Sequence, residues 1–287
     1  MSAKIAKLVT DQFLAMLENG EVEGTWSPCW NRMASLPVNA VTGRHYNGIN
    51  ILLLWSAQNR NGFTSAHWAT YKTWKSVGAQ VKKGAKAQMI VFWKIIKKTD
   101  ASGDESTFLL LRYHNVFNAD QVEGWDGLQT PVTEFDRNAE CERIIQATGA
   151  DIRHGGDRAC FIPSVDQIHM PMFETFHHAE GYYSTVFHEL AHWTGHKSRL
   201  DRDLSGRFGS HAYGMEELVA ELSAAFTCAS LGFESQTRDS HLKYIKGWIE
   251  TIRENNYAVI TAASKAEKAT RYILNGGAIE DQATEAA

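Results

Sequence analysis

The length, composition and charge of this sequence exclude several classes of protein. The chain has 287 residues, of which 44% are hydrophobic, and this is enough for one large or two ordinary globular domains. No apolar run approaches the roughly 20 residues of a membrane span. The four cysteines form no C-x-x-C pair, which is typical of reduced thiols in the cytoplasm. We therefore expect a cytoplasmic protein that has no membrane partner.

Charge is divided unevenly along the chain. Residues 1–125 contain 14 Lys and Arg against 9 Asp and Glu, a net charge of +5, whereas the remainder contains 15 against 24, a net charge of -9. Between Glu23 and Asp100 there are eleven Lys and Arg and no acidic residue. Seven of the nine tryptophans also precede residue 126. A basic, tryptophan-rich part is therefore followed by an acidic part.

Residues 1–125 are expected to form a small α+β domain. An amphipathic pattern predicts the first helix, and glycines mark turns between the later elements. Two apolar runs separated by a polar tip predict a pair of antiparallel strands. The predicted elements are helices over residues 5–17, 49–58 and 68–75, and strands over residues 88–97 and 107–117.

The acid-free span has the composition of a surface for single-stranded DNA. Bases stack on aromatic rings, and Lys and Arg follow the phosphates, although any one of these tryptophans can equally belong to the core. No helix-turn-helix or zinc-finger pattern occurs, which argues against base-specific reading of duplex DNA. The acidic half should repel phosphates. Residues 1–125 are therefore expected to bind DNA without a contribution from the second half. The predicted DNA-binding residues are Arg44, Tyr46, Trp74, Lys75, Lys82, Lys83, Lys86, Trp93 and Lys94.

The second part of the chain is expected to be mostly helical with a short edge sheet. Gly, Asp and Thr residues predict a linker over residues 126–134, a domain over 135–277, and a disordered tail over 278–287. The edge strand of such a sheet could pair with an extended peptide. The predicted elements are a helix over 135–148, a hairpin of strands 151–154 and 159–163, a strand over 167–170, and helices over 216–231, 241–254 and 259–274.

The segment His188-Glu189-Leu190-Ala191-His192 is the H-E-x-x-H pattern of zinc peptidases. Two histidines four residues apart lie on one face of a helix, so both imidazoles can reach one metal ion. Glu189 is placed to accept a proton from water. We predict a Zn²⁺ site, with another divalent ion such as Mn²⁺ as the alternative. Tyr213 or His211 is a candidate donor to an oxyanion.

A catalytic zinc needs a third protein ligand, and the sequence offers several. Ser198 occupies the position at which the metzincin pattern has its third histidine, and His196 comes two residues earlier. Glu217 and Glu221 are four apart on one helix face, as in gluzincins. We predict Glu217 as the third ligand and Glu221 as the residue that orients a histidine from outside. His196, Glu216 and Glu221 are the alternative ligands, and Glu216 is expected to be solvated.

Several segments of the first half resemble the ArdC-type plasmid antirestriction family. They are Trp26 and Trp30 around a proline, residues 42–50, the turn at residues 81–84, and residues 116–121. The resemblance extends over essentially the whole chain. It implies an N-terminal domain that binds single-stranded DNA, of a kind that also occurs on conjugative primases. It further implies a second, zincin-like peptidase domain related to the SprT group.

Three functions remain open at this point. The resemblance implies a single-stranded DNA-binding antirestriction protein that protects incoming plasmid DNA during conjugation. A second hypothesis is a DNA-associated metalloprotease that cleaves an unidentified DNA-bound protein. A third is a DNA-coating protein whose metal site is not catalytic, although the intact Glu189 argues against it because a structural site needs no general base.

Overall fold

The computed structural model describes residues 2–18, 21–22, 25–26, 33, 35–99, 105–127, 137–206, 210–235 and 242–278. The side chains of Trp93 and Lys94, most of the predicted linker and nearly all of the predicted tail lie outside this description. The helices are α1 (Ser2–Glu18), α2 (Ile49–Asn61), α3 (Tyr71–Ser76), α4 (Arg137–Thr148), α5 (Ala179–Thr194), α6 (His211–Ser230), α7 (Leu242–Glu254) and α8 (Ala258–Leu274). The strands are β1 (Glu21–Val22), β2 (Thr25–Trp26), β3 (Val38–Asn39), β4 (His67–Thr70), β5 (Gln80–Val81), β6 (Gln88–Thr99), β7 (Glu105–Asn118), β8 (Val122–Glu123), β9 (Asp151–His154), β10 (Cys160–Ile162) and β11 (Gln167–Met170).

The predicted α+β class is confirmed, and the first half is built on a four-stranded sheet of order β3-β4-β7-β6. Strands β6 and β7 form the long antiparallel pair that the sequence predicts. The predicted helix over residues 68–75 is wrong at its start, because Trp68 and Ala69 are buried in strand β4. Thr70 ends the strand and begins α3, since its hydroxyl accepts a hydrogen bond from the Thr73 backbone N–H at 3.1 Å.

A smaller sheet in the second half has the order β10-β11-β9. The hairpin predicted between residues 151–154 and 159–163 is therefore wrong, because β11 lies between them. It pairs parallel with β9 and antiparallel with β10. Strand β11 takes the centre because Ile168 and Met170 are both buried there, and a central strand also has both backbone edges paired. Strand β10 is left at the edge, against helix α5.

One hydrophobic core contains residues from both halves of the chain. Helices α1 and α2 contribute to the same cluster as α6, α7 and α8, and Trp55 packs against Phe226 with ring centroids 5.7 Å apart. A polar contact joins α1 to the turn between α7 and α8: the Thr10 hydroxyl donates to the Asn256 carbonyl at 2.8 Å. The N-terminal helices are therefore covered by the metal-site half, whereas the boundaries at residues 126 and 135 stay predictions.

None of the helices in the described part of the chain combines the length and the apolar character needed to cross a membrane. Cys141 and Cys228 are buried and Cys160 is partly exposed, and all three are free thiols.

Candidate metal centre and basic surface

Helix α5 carries the two histidines on its buried face. The side chains of Val186, Leu190 and Trp193 pack into the core and fix the rotation of the helix. The four-residue spacing of His188 and His192 then sets both imidazoles on one side, toward helix α6. The α5 helix therefore presents two nitrogen ligands at a protected surface between two helices.

Helix α6 brings Glu217 opposite both imidazoles. Its Oε2 lies 3.6 Å from His188 Nε2, and its Oε1 lies 3.5 Å from His192 Nε2. One ligand atom from each of the three side chains lies within 4.8 Å of the others. Ligand atoms around a tetrahedral zinc, each about 2.0–2.1 Å from the metal, are about 3.3–3.4 Å apart. Two imidazoles and one carboxylate in this arrangement fit a divalent cation.

Each imidazole also faces a second carboxylate through its other nitrogen. His188 Nδ1 lies 3.5 Å from Glu221 Oε2, and His192 Nδ1 lies 3.4 Å from Glu216 Oε1. Carboxylates in this position fix the orientation of a histidine and make its other nitrogen a better ligand. Glu221 therefore lies beside His188, for which the sequence proposes an orienting carboxylate, and Glu216 lies beside His192 in the same way.

The prediction that Glu216 is solvated is wrong. Its side chain is 11% exposed, and it is held by Arg202, whose Nη2 and Nε lie 2.7 and 3.0 Å from the two carboxylate oxygens. Arg202 also donates to the Ala191 carbonyl at 2.6 Å and to the Thr194 hydroxyl at 2.8 Å. Glu216 therefore lies between His192 and the loop after α5, which folds back and places Arg202 against its carboxylate. A single arginine within a polar loop gave no sequence signal for this contact.

The charges of the centre are tightly coupled. Burial lowers the pKa of His192, but the hydrogen bonds and negative charges of Glu216 and Glu217 outweigh it and raise the pKa to about 10. Burial raises the pKa of Glu217, yet the bonds to His188 and His192 hold it far below its usual range. The carboxylates of Glu216 and Glu217 thus favour positive charge between α5 and α6, as a divalent cation requires.

Glu189 is buried, with 3% of its surface exposed, beside the edge strand of the small sheet. Its Oε2 accepts a hydrogen bond from the Phe161 backbone N–H of β10 at 2.8 Å. His196 instead contacts Ser198, with Nδ1 and Oγ 2.8 Å apart, and neither belongs to the metal cluster among the described residues. Tyr213 lies on α6 one turn before Glu217, and its predicted role as an oxyanion donor stays a prediction.

Comparison with known proteins matches each half of the chain to its own family model and the whole chain to one family. Residues 139–265 match the model of a zincin-like metallopeptidase, and residues 3–117 match the N-terminal domain of the anti-restriction factor ArdC. The crystal structure of metal-free antirestriction protein ArdC from the R388 plasmid is 36% identical, with a TM-score of 0.80 over 95% of this chain and 97% of that chain. This chain belongs to the ArdC antirestriction family.

Other members extend the comparison. The Mn(II)-bound structure of the R388 ArdC protein matches with a TM-score of 0.79 at 36% identity, over 95% of this chain and 98% of that chain. The protein y4eC of Sinorhizobium fredii (strain NBRC 101917 / NGR234) is 41% identical over 92% of this chain and 89% of its own length. The DNA primase TraC of Escherichia coli is 36% identical over 93% of this chain, which corresponds to 20% of that primase.

Five of the cations predicted to bind DNA lie on the surface of this ArdC-family chain. The side chains of Arg44, Lys75, Lys82, Lys83 and Lys86 are all exposed. Lys82 Nζ donates to the Asp120 carbonyl at 3.0 Å but stays exposed like the others, so the charge of all five can attract a polyanion. Five of the nine residues predicted to bind DNA are therefore exposed cations.

The two aromatic residues of the prediction that the structure describes are less accessible. Trp74 is 0% exposed, and its indole N–H donates to the Phe117 carbonyl at 3.0 Å. The prediction that bases stack on Trp74 is wrong, because protein atoms cover both faces of its ring. Tyr46 is partly buried: its hydroxyl donates to the Trp68 carbonyl at 3.1 Å, and burial raises its pKa to about 12.

Proposed function

We propose that this protein binds single-stranded DNA through its basic half and thereby shields incoming plasmid DNA from restriction during conjugation. The observation that carries the proposal is the set of exposed cations within a span that has no acidic residue between Glu23 and Asp100. Such a surface attracts phosphates without reading base sequence. Duplex DNA should bind more weakly, since its bases are stacked against each other.

We further propose that the metal centre supports peptide hydrolysis. His188, His192 and Glu217 would hold a divalent metal ion, Zn²⁺ or Mn²⁺, which when bound lowers the pKa of water and polarises a carbonyl. Glu189 would accept the proton of the attacking water and pass it to the leaving amine. The Phe161 N–H holds the Glu189 carboxylate in place for this task.

Two variants of the full-length protein test which half carries the biological effect. Glu189→Gln keeps the size of the side chain and an acceptor for the Phe161 N–H, so metal binding and folding should be retained. Replacing Lys82, Lys83 and Lys86 together by alanine should weaken DNA binding. If protection works by covering DNA, cells with Glu189→Gln should still protect a conjugated plasmid, and cells with the triple lysine variant should protect it less.

A DNA-associated metalloprotease is the second candidate function. It is favoured by the burial of Glu189 at the edge strand, because a metal site without catalysis needs no proton acceptor in that position. Protection that is lost in Glu189→Gln while affinity for single strands is unchanged would support the protease and would contradict simple coverage. If the wild-type protein cleaves no protein bound to single-stranded DNA, the metal site would be non-catalytic.

A further inference from the structure

An exposed tyrosine lies in the acid-free span, where the sequence drew attention to tryptophans. Tyr71 is the first residue of α3, and 49% of it is exposed. Its hydroxyl accepts a hydrogen bond from Gln80 Nε2 at 3.3 Å, and its ring meets Phe117 edge-on with centroids 6.4 Å apart. The ring is therefore held from two sides while much of it faces solvent.

Cations lie on the same side of the molecule as this ring. Lys75 follows Tyr71 by four residues, so the two share one face of α3 with Cβ atoms about 5–6 Å apart. Gln80 and Lys82 are two residues apart along an extended segment, with the buried Val81 between them, so both point to the outer side. Gln80 contacts Tyr71, and Lys82, directly after the strand, donates from Nζ to the Asp120 carbonyl at 3.0 Å while its side chain stays exposed.

Carboxylates limit this surface on one side. Glu123 pairs with Gln80 across strands β5 and β8 and is exposed. The Asp120 carboxylate accepts hydrogen bonds from the backbone N–H groups of Thr64 and Ser65, at 2.6 and 3.3 Å. The backbone of Thr64 and Ser65 thus partly neutralises the Asp120 carboxylate. Glu123 is the carboxylate that would repel the phosphates of a bound strand, so the strand should follow the lysines instead.

We propose that Tyr71 is a base-stacking platform of this protein, and that Lys75 and Lys82 neutralise the phosphates next to the stacked nucleotide. The inference rests on the proposed binding of single-stranded DNA. It assigns to Tyr71 the role that the sequence gave to Trp74. A ring that is fixed in place and still half exposed stacks on a base at low entropic cost.

Binding of two oligonucleotides to the full-length protein tests the platform. One is an oligothymidylate, and the other is an abasic strand of equal length and charge. The wild-type protein should prefer the strand with bases. Tyr71→Leu, which keeps the apolar contact with Phe117, should lose about 5- to 100-fold in affinity for that strand. Its affinity for the abasic strand should stay unchanged, because that strand offers only phosphates.

Matched variants separate stacking from charge and from damage to the fold. Tyr257→Leu removes another exposed tyrosine, 39% exposed and located in the acidic half, and should change neither affinity. Tyr71→Trp should bind the base-bearing strand at least as well as wild type. Lys75→Ala should weaken both strands and make the log–log salt slope shallower by about 0.7. In a strand with 5-bromodeoxyuridine, ultraviolet light should cross-link the base to residue 71.

These measurements distinguish a wrong assignment of Tyr71 from an absence of DNA binding. If wild type prefers the base-bearing strand and Tyr71→Leu retains that preference, Tyr71 is not the platform and the proposed function stands. The same conclusion follows if Tyr113→Leu, at the other exposed tyrosine of this half, removes the preference instead. If wild type binds neither strand, the proposed function fails and the platform fails with it.

Discussion

The metal centre and the basic surface use side chains in opposite ways. In the metal centre His188 and Glu217 are buried, and each side chain has fixed partners within hydrogen-bonding range. On the basic surface Lys75 and Lys83 are exposed and share the task of attracting phosphates with other cations. A buried, coupled site depends strongly on each member, because removing one partner leaves the others unsatisfied. A charged surface loses only a fraction of its attraction with each residue.

The largest effect is expected from loss of a metal ligand. Glu217→Ala should abolish binding of Zn²⁺ or Mn²⁺, because one of three protein ligands disappears from a buried site. His196→Ala should leave metal binding unchanged, since His196 contacts Ser198. Metal content after gel filtration and calorimetric titration measure both. The reverse result would move the third ligand to His196 and would contradict the arrangement described above.

The shared core predicts a large effect on stability that reaches both regions. Trp55→Ala should lower the free energy of unfolding by about 3–5 kcal/mol, because it empties a fully buried site against Phe226. Urea unfolding can be monitored through the loss of bound metal and, separately, through the loss of bound DNA. The two transitions should coincide. Val41→Ala, at an exposed position, is the control. Separate transitions would instead indicate that residues 1–125 fold on their own.

The outer partners of the metal centre should have a smaller effect. Glu216→Leu or Arg202→Met should weaken metal binding by about 10- to 100-fold, because His192 loses the carboxylate that orients it. Arg199→Met is a matched control, since Arg199 lies in the same loop but bonds to Asp166. Metal affinity from competition with a chelator measures the difference. Unchanged affinity in both test variants would show that Glu217 alone fixes the imidazoles.

The basic surface should respond gradually. Replacing Lys82, Lys83 and Lys86 with alanine should weaken binding of single-stranded DNA and make the log–log salt slope shallower by about 2, if each neutralises one phosphate. Metal binding should not change. The same number of alanine substitutions at exposed lysines of the other half, Lys197, Lys265 and Lys268, is the control. Equal effects of the two sets would indicate that only net charge matters.

The sequence by itself determined the features that depend on local, periodic patterns of residues. The α+β class, the long pair β6 and β7, and the helices of the second half follow from local apolar spacing. The positions of His188 and His192 on one face follow from the helical period alone. The same period placed Glu217 and Glu221 together on one face of α6, so the facing carboxylates could be predicted before the fold was known.

Only the tertiary structure decided the contacts between segments that are distant in sequence. The loop that carries Arg202 folds back onto Glu216, and strand β11 lies between β9 and β10. Neither arrangement can be read from a local sequence pattern. The choice between Trp74 and Tyr71 is of the same kind. Both are aromatic and lie among lysines, but Trp74 faces the core and Tyr71 faces solvent. Composition records which side chains are present, whereas packing against other elements decides which of them a ligand can reach.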